Sequence, residues 1–467
     1  MNRAFYATVS ALALLSAAPA IAQNTSNVTQ TGTTGTATVT QDGTAGANLS
    51  DITQAGTSNT AEVTQASIAG AQNHSTVNQG DSSTGNTASV SQTGEGNTSD
   101  VDQEGRNSTA DVTQNGSGNS STVDQAGLTD TVSATVGQSG SQNDSYVGQI
   151  GANSTVDVSQ TNGADGTVGN HSTVTQAAAG SGVIVTQNGQ DNSSNVIQAG
   201  LGAGVIVSQD GISNTSDVGQ VAGFSTVGVT QTGDDNSSLV GQIAGGSTVG
   251  VAQNGVGNNS VVADLADGST ANVNQTGMGN DSLVSQNPAF QQFSIFGFTF
   301  DLPVNENDES HTTQNGDNNK ASISQYGANQ LASIDQIGDN NTAGIPGTSI
   351  GILQIGTDQT ANVAQHGDGN TSVVAQGGND PSTTITGASS HDNLATVEQF
   401  GTGGLSTILQ DGDNNTALLH DTGVGNISSI IQDGSGNGAT VTQGSTGNTS
   451  NVTQTGTANS ATVTQGS

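Results

Sequence analysis

The sequence predicts an all-β protein, a β-solenoid of stacked strand-turn-strand arches with two 11-residue half-repeats per rung and a cross-β mode of assembly. Three observations predict this fold: a glutamine that recurs at every eleventh position, units rich in strand-forming and turn-forming residues, and very few aromatic side chains. The chain has 467 residues, of which 67 are glycine and 2% are aromatic. A rounded core needs large side chains to fill its centre, so small residues must instead be stacked.

The glutamine period is the strongest signal in the chain. From Gln176 to Gln253 a glutamine recurs at every eleventh position, and the same step returns in several other runs. About 34 glutamines follow this spacing, and Asp264 and Asp421 fill two further slots. An 11-residue period also suits a right-handed helical coil. The units are rich in Gly, Thr, Val, Ser and Asn, however, which favours strands and turns over helices.

Each unit alternates between inward and outward residues. The segment QDGSGNGATVTQ, which begins at Gln432, reads Q-x-G-x-G-N-x-A-x-V-x-Q. Its last four marked residues share one face of a strand; they are Asn437, Ala439, Val441 and Gln443. The glycines before them supply a turn, because glycine adopts positive φ without steric cost. We therefore expect a strand of about seven residues and a turn of about four in each unit.

Two such strands, folded over each other, form an arch of about 22 residues with Val and Ala or Ser inside. Stacked arches place equivalent strands about 4.8 Å apart, so that Asn and Gln form hydrogen-bonded columns. About 36 units predict about 18 arches, a rod roughly 85 Å long. The expected ladder residues are Gln92, Asn97, Gln103, Gln114, Asn119, Gln125, Gln275, Asn280, Gln286, Gln365, Asn370, Gln376, Gln432, Asn437, Ala439, Val441 and Gln443.

Acidic residues dominate the charge. Asp and Glu number 38 against 3 Lys and Arg, which gives a formal net charge of −35. Phosphate binding needs Lys and Arg, so nucleic acid is not an expected partner. Outward acids such as Asp100, Asp102 and Asp124 form either a merely solvated face or gatekeepers against premature edge pairing. No Ser-His-Asp or paired-carboxylate constellation stands out, so we expect no enzyme and no catalytic, cofactor or metal site.

The N-terminal segment 1–22, MNRAFYATVSALALLSAAPAIA, is interpreted as a secretory signal peptide. Arg3 precedes a short apolar run, and Ala20-Ile21-Ala22 forms a small-x-small cleavage site. A membrane anchor is the alternative, but the run is too short to span a bilayer. No integral membrane segment is expected after cleavage. The chain would then be exported to the cell exterior.

The remaining chain divides into two repeat regions, 23–286 and 314–467, the second with short loop interruptions. Between them, residues 287–313 form a Phe-rich insertion. It either folds its aromatic side chains over one edge of the rod or provides a contact site for a partner. The candidate contact residues are Phe290, Phe293, Phe296, Phe298 and Phe300.

The unit Q-x-G-x-G-N-x-A-x-x-x-Q resembles the curlin repeat of curli fibre subunits, and QDGSGNGATVTQ matches it in full. The resemblance implies a secreted bacterial subunit of a functional amyloid, an extracellular fibre at the cell surface that supports adhesion and biofilm matrix. It implies growth by templated stacking of copies of the same chain, with a nucleator subunit and outer-membrane export machinery as further partners. This chain has several times more repeats than a usual family subunit.

A monomeric secreted β-solenoid that binds ice or another surface is the alternative function. Outward threonines such as Thr440 and Thr442 would suit ice, and such a protein should have capped ends and a regular threonine array. The outward positions mix Thr, Asp, Ser and Gly, which favours the fibre subunit.

Overall fold

The computed structural model describes residues 23–43, 47–67, 70–126, 131–162, 168–221, 223–288, 290–295, 298–303, 307–344, 351–377 and 390–466. The predicted signal peptide lies outside these ranges, as does Phe296. The described ranges form strands and turns only, and they contain no helix long and apolar enough to cross a membrane.

The strands of the first part of the chain are β1 (Thr25–Gln30), β2 (Thr36–Gly43), β3 (Leu49–Gln54), β4 (Thr60–Ser67), β5 (His74–Gln79), β6 (Thr87–Glu95), β7 (Thr98–Gln103), β8 (Thr109–Ser117), β9 (Ser120–Gln125), β10 (Val132–Ser141), β11 (Asp144–Gln149), β12 (Ser154–Thr161), β13 (His171–Gln176), β14 (Gly182–Gln190), β15 (Ser193–Gln198), β16 (Gly204–Ile212), β17 (Thr215–Gln220), β18 (Thr226–Asp234), β19 (Ser237–Gln242), β20 (Thr248–Val256), β21 (Asn259–Asp264) and β22 (Thr270–Met278). Those of the second part are β23 (Asp281–Pro288), β24 (Phe290–Ile295), β25 (Phe298–Pro303), β26 (Glu309–Asn315), β27 (Lys320–Ala328), β28 (Leu331–Ile337), β29 (Thr342–Ala343), β30 (Ile352–Thr357), β31 (Thr360–His366), β32 (Thr371–Gln376), β33 (Ser390–His391), β34 (Leu394–Gln399), β35 (Leu405–Asp411), β36 (Thr416–Asp421), β37 (Ile427–Ser435), β38 (Gly438–Gln443), β39 (Thr449–Thr457) and β40 (Ser460–Gln465).

Successive strands alternate between two parallel sheets. Sheet 1 contains the odd-numbered strands from β1 to β23, then β27, β29, β30, β32, β33, β35, β37 and β39. Sheet 2 contains the even-numbered strands from β2 to β22, then β26, β28, β31, β34, β36, β38 and β40. The chain passes once through each sheet per turn of the solenoid, which we call a level. About 18 levels are stacked, and the predicted β-solenoid is confirmed.

Strand pairing keeps equivalent residues in register from one level to the next. Gln209 of β16 pairs with Gln231 of β18, which pairs with Gln253 of β20. Each step from one level to the next spans two half-repeats in this region, as the period predicts. Sheet 1 strands β29 and β30 share one level, and so do β32 and β33, because an insertion splits the strand in each case.

Both sheets are open at their outermost described strands. The strands β1 and β2 pair only with β3 and β4, and β39 and β40 pair only with β37 and β38. Inward residues of these outermost levels, including Val28, Val39 and Val463, are only partly buried. The apolar interior therefore reaches solvent at both ends of the described rod.

Each sheet contributes a valine-rich column to the core between the sheets. A second column, of alanine or another small residue, lies beside it. A first cluster extends from Ile52 to Val284 and consists almost entirely of Val and Ala. A second cluster begins at Ala321 and uses Ile and Leu as well. Strand β26 lies between them and places Ser310 and Thr312 at inward positions, where both are buried.

Glycine is required at the corner that leads from sheet 2 to sheet 1. Gly233 has φ +103°, and a Cβ there would lie 2.1 Å from the carbonyl oxygen of Gly255 one level away. An L side chain would be strained by that φ and would collide with the neighbouring backbone. Gly211 and Gly255 occupy the same position in adjacent levels, with Cβ clashes of the same kind.

The Phe-rich segment forms an antiparallel hairpin, β24 and β25, in which Phe293 pairs with Phe300. The solenoid continues across it in register, since β22 pairs with β26 and β23 pairs with β27. Sheet 2 resumes at Glu309, which pairs with Thr270. The hairpin therefore interrupts only the corner that leads from sheet 1 to sheet 2.

Candidate functional site

Each sheet carries a column of glutamines in the C-terminal half of its strands, and each amide in a regular level joins three strands. Gln209 Nε2 donates to Gln231 Oε1 at 2.8 Å, and Gln231 Nε2 donates to Gln253 Oε1 at 2.8 Å. Gln231 Nε2 also donates across to Thr215 O of sheet 1 at 2.9 Å. One N–H therefore links the levels, and the other links the two sheets.

The donor direction is the same along both columns: each Nε2 that bonds within a column donates to the level that follows in the sequence. The sheet 1 column consists of Gln30, Gln54, Gln79, Gln103, Gln125, Gln149, Gln176, Gln198, Gln220, Gln242, Asp264, Gln286, Gln325, Gln354, Gln376, Gln410, Gln432 and Gln454. The sheet 2 column consists of Gln41, Gln65, Gln92, Gln114, Gln138, Gln160, Gln187, Gln209, Gln231, Gln253, Gln275, Gln314, Gln336, Gln365, Gln399, Asp421, Gln443 and Gln465.

Asparagines form a third column at the corner before sheet 1. The backbone N–H of Asn214 donates to Asn192 Oδ1 at 3.1 Å, and Asn214 Nδ2 donates to Gly233 O at 2.6 Å. These side chains satisfy corner backbone groups that the strand pairing leaves free. The predicted ladder residues Asn97, Asn119, Asn280 and Asn370 lie in this column.

The predicted ladder residues are all buried, but they divide between different columns. The unit that begins at Gln432 contributes Gln432 to the sheet 1 column and Gln443 to the sheet 2 column. Asn437 lies at the other corner, where its N–H donates to Asn415 Oδ1 at 3.0 Å. Ala439 and Val441 face the interior of sheet 2. Of the five predicted contact phenylalanines, the structure places Phe290, Phe293, Phe298 and Phe300 on the hairpin strands.

The single 11-residue pattern treats the two half-repeats as equivalent, but the structure shows that they differ. The small inward residue is nearly always serine on sheet 1, whereas it is alanine or valine on sheet 2 through most of the rod. Many of these serine hydroxyls are buried with no hydrogen-bond partner among the described residues; they are Ser50, Ser75, Ser99, Ser121, Ser145, Ser172, Ser194, Ser216, Ser238, Ser260, Ser282, Ser372, Ser406 and Ser450. The sequence signal for this asymmetry is an alternation of N-x-S-x-V with x-A-x-V from one half-repeat to the next.

The two aspartates in the glutamine columns have different surroundings. Asp421 Oδ1 accepts hydrogen bonds from Gly423 N at 2.9 Å and Asn426 Nδ2 at 2.6 Å. One level further, Gln443 Oε1 accepts a hydrogen bond from the Ser428 hydroxyl. The carboxyl of Asp264 also accepts two hydrogen bonds, but they are longer, at 3.3 and 3.2 Å, and burial raises its pKa to about 6.

Acidic side chains also meet on the outer face of sheet 1. Asp102 of β7 pairs in register with Asp124 of β9. Partial burial raises the pKa of Asp102, and the nearby charges of Asp124, Glu104 and Asp100 raise it further, while a hydrogen bond from Asn78 lowers it. The outward acids therefore repel one another along the stack.

Every histidine lies beside a carboxylate, at nitrogen–oxygen distances from 2.7 to 3.8 Å. In most of these pairs the carboxylate belongs to an adjacent level. The pairs are His74–Asp51, His171–Asp144, His311–Glu309, His366–Asp335, His391–Asp413 and His420–Glu398. Imidazoles thus offset a small part of the acidic surface when they are protonated.

The family comparison agrees with this geometry. The model of the curlin associated repeat matches residues 84–116, 105–129, 133–161, 313–345 and 391–419. The chain contains curlin repeats. In this curlin-repeat protein the matches lie on both sides of the Phe hairpin, within levels whose glutamine columns are hydrogen-bonded. The family is one of structural, non-enzymatic proteins. No curated protein matches the chain.

Proposed function

We propose that this curlin-repeat protein is a secreted structural subunit of a curli-like extracellular amyloid fibre, which supports cell adhesion and the biofilm matrix. Copies of the chain stack end to end, so that the last level of one molecule templates the first level of the next. The function is mechanical and needs no bond-making chemistry. Its partners are other copies of the chain, together with a nucleator and export machinery at the outer membrane.

The observation that carries this proposal is the near identity of the two outermost described levels. Residues 24–41 read NTSNVTQTGTTGTATVTQ, and residues 448–465 read NTSNVTQTGTANSATVTQ. The two differ at only three of 18 positions, where Thr34, Gly35 and Thr36 correspond to Ala458, Asn459 and Ser460. A junction between β39–β40 of one copy and β1–β2 of the next would therefore align like residues in every column.

The hydrogen-bonding groups of the two outermost levels are complementary. Gln454 and Gln465 each donate one N–H across the sheets, at 3.0 and 2.9 Å, and their second N–H faces beyond the last described level. At the opposite end, the Oε1 atoms of Gln30 and Gln41 are the acceptors that begin the two columns. Donors on one face and acceptors on the other favour a single, polar direction of stacking.

The outermost levels also lack the features that would block contact. Neither residues 24–41 nor residues 448–465 contain an acidic side chain. Asp42, near the end of β2, is the one acidic residue on the four facing strands β1, β2, β39 and β40. Partly buried Val28, Val39 and Val463 offer apolar surface that a second copy would cover. These observations support stacking over a capped monomer.

Seeded growth tests the proposal. Purified protein from Gln23 onward is incubated with preformed seeds, and thioflavin-T fluorescence reports elongation. Wild-type monomer should elongate seeds without a lag. Val463→Asp, which puts a charge on the inward face of β40, should reduce seeded elongation at least about tenfold, because an unpaired buried charge costs several kcal/mol.

Thr464→Asp is the matched control, since it adds the same charge to an exposed outward position of the same strand. It should elongate at nearly the wild-type rate. Equal elongation by both variants would contradict stacking through this face. A stable β-rich monomer that never elongates seeds would instead favour the alternative, a capped solenoid that binds a surface.

Secretion is tested separately. The extracellular protein should begin at Gln23, as determined by mass spectrometry of its N-terminal peptide. An extracellular chain that retains residues 1–22, or a chain confined to the cell, would contradict this part of the proposal.

A further inference from the structure

Two buried aspartates lie at the corner from which the Phe hairpin leaves the rod. Asp264 ends β21 and occupies a slot of the sheet 1 glutamine column, and Asp308 precedes β26 one level further. Their relative exposures are 0% and 1%. Regular levels hold amides or hydroxyls at these positions, so this corner is chemically different from the rest of the rod.

One buried acceptor beside Asp264 has no hydrogen-bond donor among the described residues. Gln242 Nε2 donates to Asp264 Oδ2 at 3.3 Å, and Ala266 N donates to Asp264 Oδ1 at 3.2 Å. In the next level Gln286 Oε1 is buried and accepts from no donor among the described residues. A glutamine in place of Asp264 would supply that donor, whereas a carboxylate has no hydrogen to give.

Asp308 also has a buried oxygen without a hydrogen-bond donor in the described part of the chain. Its Oδ1 accepts from Gln330 N at 3.0 Å, but its buried Oδ2 has no partner in the described part of the chain. The adjoining levels of this corner column hold Ser269 and Gln330, and Gln330 Nε2 donates to Gly356 O at 2.9 Å. Further along the column the residue is asparagine, and Asn437 Nδ2 donates to Gly456 O at 3.0 Å. The neighbouring inward hydroxyls of Ser310 and Thr312 are likewise buried and unpartnered within the described residues.

Burial dominates the electrostatics of both carboxyls. It raises the pKa of Asp264 to about 6, helped by the charge of Asp267 and opposed by the hydrogen bonds from Gln242 and Ala266. It raises the pKa of Asp308 to about 7, helped by the charge of Asp264 and opposed by the hydrogen bond from Gln330.

The other charged groups on the adjoining strands do not offset a negative charge at this corner. Glu309 follows Asp308 directly, and its carboxylate is paired with exposed His311 at 2.7 Å. Lys320 begins β27, whereas Asp264 ends β21, so the lysine lies at the opposite corner of the stack. The two aspartates therefore face each other and Asp267 without a cation between them in the described structure.

We propose that strands β21 to β28, apart from the hairpin, form an acid-stabilised joint in the rod, in which Asp264 and Asp308 act as neutral carboxylic acids that supply the missing O–H donors. Ionisation places two like charges in a dry corner and leaves Gln286 Oε1 without a donor. Each change destabilises these levels locally. The remaining levels keep their own ladders, because a stacked-repeat structure opens in local units.

The direction of the pH effect follows from the raised pKa values. Both exceed the ordinary value of 3.8, so the folded joint binds protons more tightly than the unfolded chain does. Its stability is fully present below about pH 4 and is lost as the pH rises through about 6 and 7. Above that range the joint stays at its lower stability.

Hydrogen exchange measured by mass spectrometry tests the joint in the purified full chain. Peptides from β21 to β28 are compared with peptides from β14 to β18 of the same molecule, which cancels the pH dependence of intrinsic exchange. Between pH 4.5 and 8, the protection of the joint relative to this reference should fall at least about tenfold, since a difference of one in pKa corresponds to a factor of ten.

Variants assign the effect to the two carboxyls. Asp264→Gln with Asp308→Asn installs the amides found in other levels and should abolish the drop, and Asp264→Gln alone should reduce it. Asp421→Asn changes the other aspartate slot, far from the joint in the sequence, and should retain the wild-type drop. No drop in the wild type, or an undiminished drop in the double variant, would overturn the proposal. Because the readout lies within one molecule, it is valid whether or not copies stack into fibres.

Discussion

The levels formed by β13 to β20 and those formed by β21 to β28 share one backbone ladder but differ in side-chain chemistry. In the first region, glutamine amides such as Gln209 and Gln231 each donate along the stack and across it. In the second region, Asp264 and Asp308 replace amide or hydroxyl side chains, and the acceptors Gln286 Oε1 and Asp308 Oδ2 have no donor among the described residues.

The Phe hairpin lies within the second region. Strand pairing passes it in both sheets, and the glycine corner also continues, since a Cβ at Gly277 would lie 2.1 Å from Gly316 O. Only the corner that leads from sheet 1 to sheet 2 is interrupted. Backbone pairing thus tolerates an insertion at a corner, and the glutamine columns cross it as well, from Gln275 to Gln314 and from Gln286 to Gln325. The missing donors are instead at the two aspartate positions, which leave Gln286 Oε1 and Asp308 Oδ2 without a partner among the described residues.

The largest expected effect comes from the glycine corner that both regions share. Gly233→Ala should lower the free energy of unfolding by about 3–5 kcal/mol, because its Cβ collides with backbone that cannot move independently. Urea denaturation of the monomer, followed by circular dichroism, measures the change. Gly228→Ala is the control, since a Cβ at this outward position of β18 meets nothing within 4 Å. Equal losses in both variants would contradict the role of the corner.

The second prediction places a buried aspartate, like Asp264 of the joint, in a glutamine column of the regular levels. Gln231→Asp should destabilise β16 to β20 locally by about 3 kcal/mol at pH 8, because it buries an unpaired charge. The loss should shrink at pH 4.5, where the carboxyl is protonated. Hydrogen exchange of these strands measures both values. Thr230→Asp, on the exposed face of the same strand, should change little at either pH. If Gln231→Asp lost the same local stability at both pH values, ionisation of the new carboxyl would not be the cause.

A smaller effect of opposite sign is expected from the serine column, which runs through both regions. Ser194→Ala should raise the free energy of unfolding by about 1 kcal/mol, because it removes a buried hydroxyl without a partner among the described residues. Ser193→Ala changes an adjacent, partly exposed residue and should alter stability by less than about 0.5 kcal/mol. Destabilisation by Ser194→Ala would show that the Ser194 hydroxyl forms a stabilising hydrogen bond.

The smallest effect contrasts partly exposed carboxylates with the buried ones of the joint. Asp102→Asn relieves repulsion from Asp124 and should stabilise β7 to β9 by a few tenths of a kcal/mol at low salt. The gain should vanish in about 0.5 M salt or below about pH 4, because screening or protonation removes the same repulsion. A gain that persists in high salt would point to a cause other than charge.

The sequence predicts the regular levels well and the joint poorly, for physical reasons. Period-2 alternation after each glycine turn fixes which side chains face inward, and the glutamine step fixes the register. The Asp308 slot could not be assigned, because the 11-residue spacing is lost between Gln286 and Gln314 and only strand pairing restores it. The spacing also does not predict the direction in which the amides donate, or which serine hydroxyls have no partner among the described residues. Both depend on how the side chains pack.

In the proposed fibre, one parallel, in-register ladder continues from molecule to molecule. X-ray diffraction from aligned assemblies of the purified protein tests it most directly. Stacked levels should give a meridional reflection at about 4.8 Å, and the two packed sheets should give an equatorial reflection at about 10 Å. Assemblies without that meridional reflection, or a protein that remains monomeric when seeded, would contradict it.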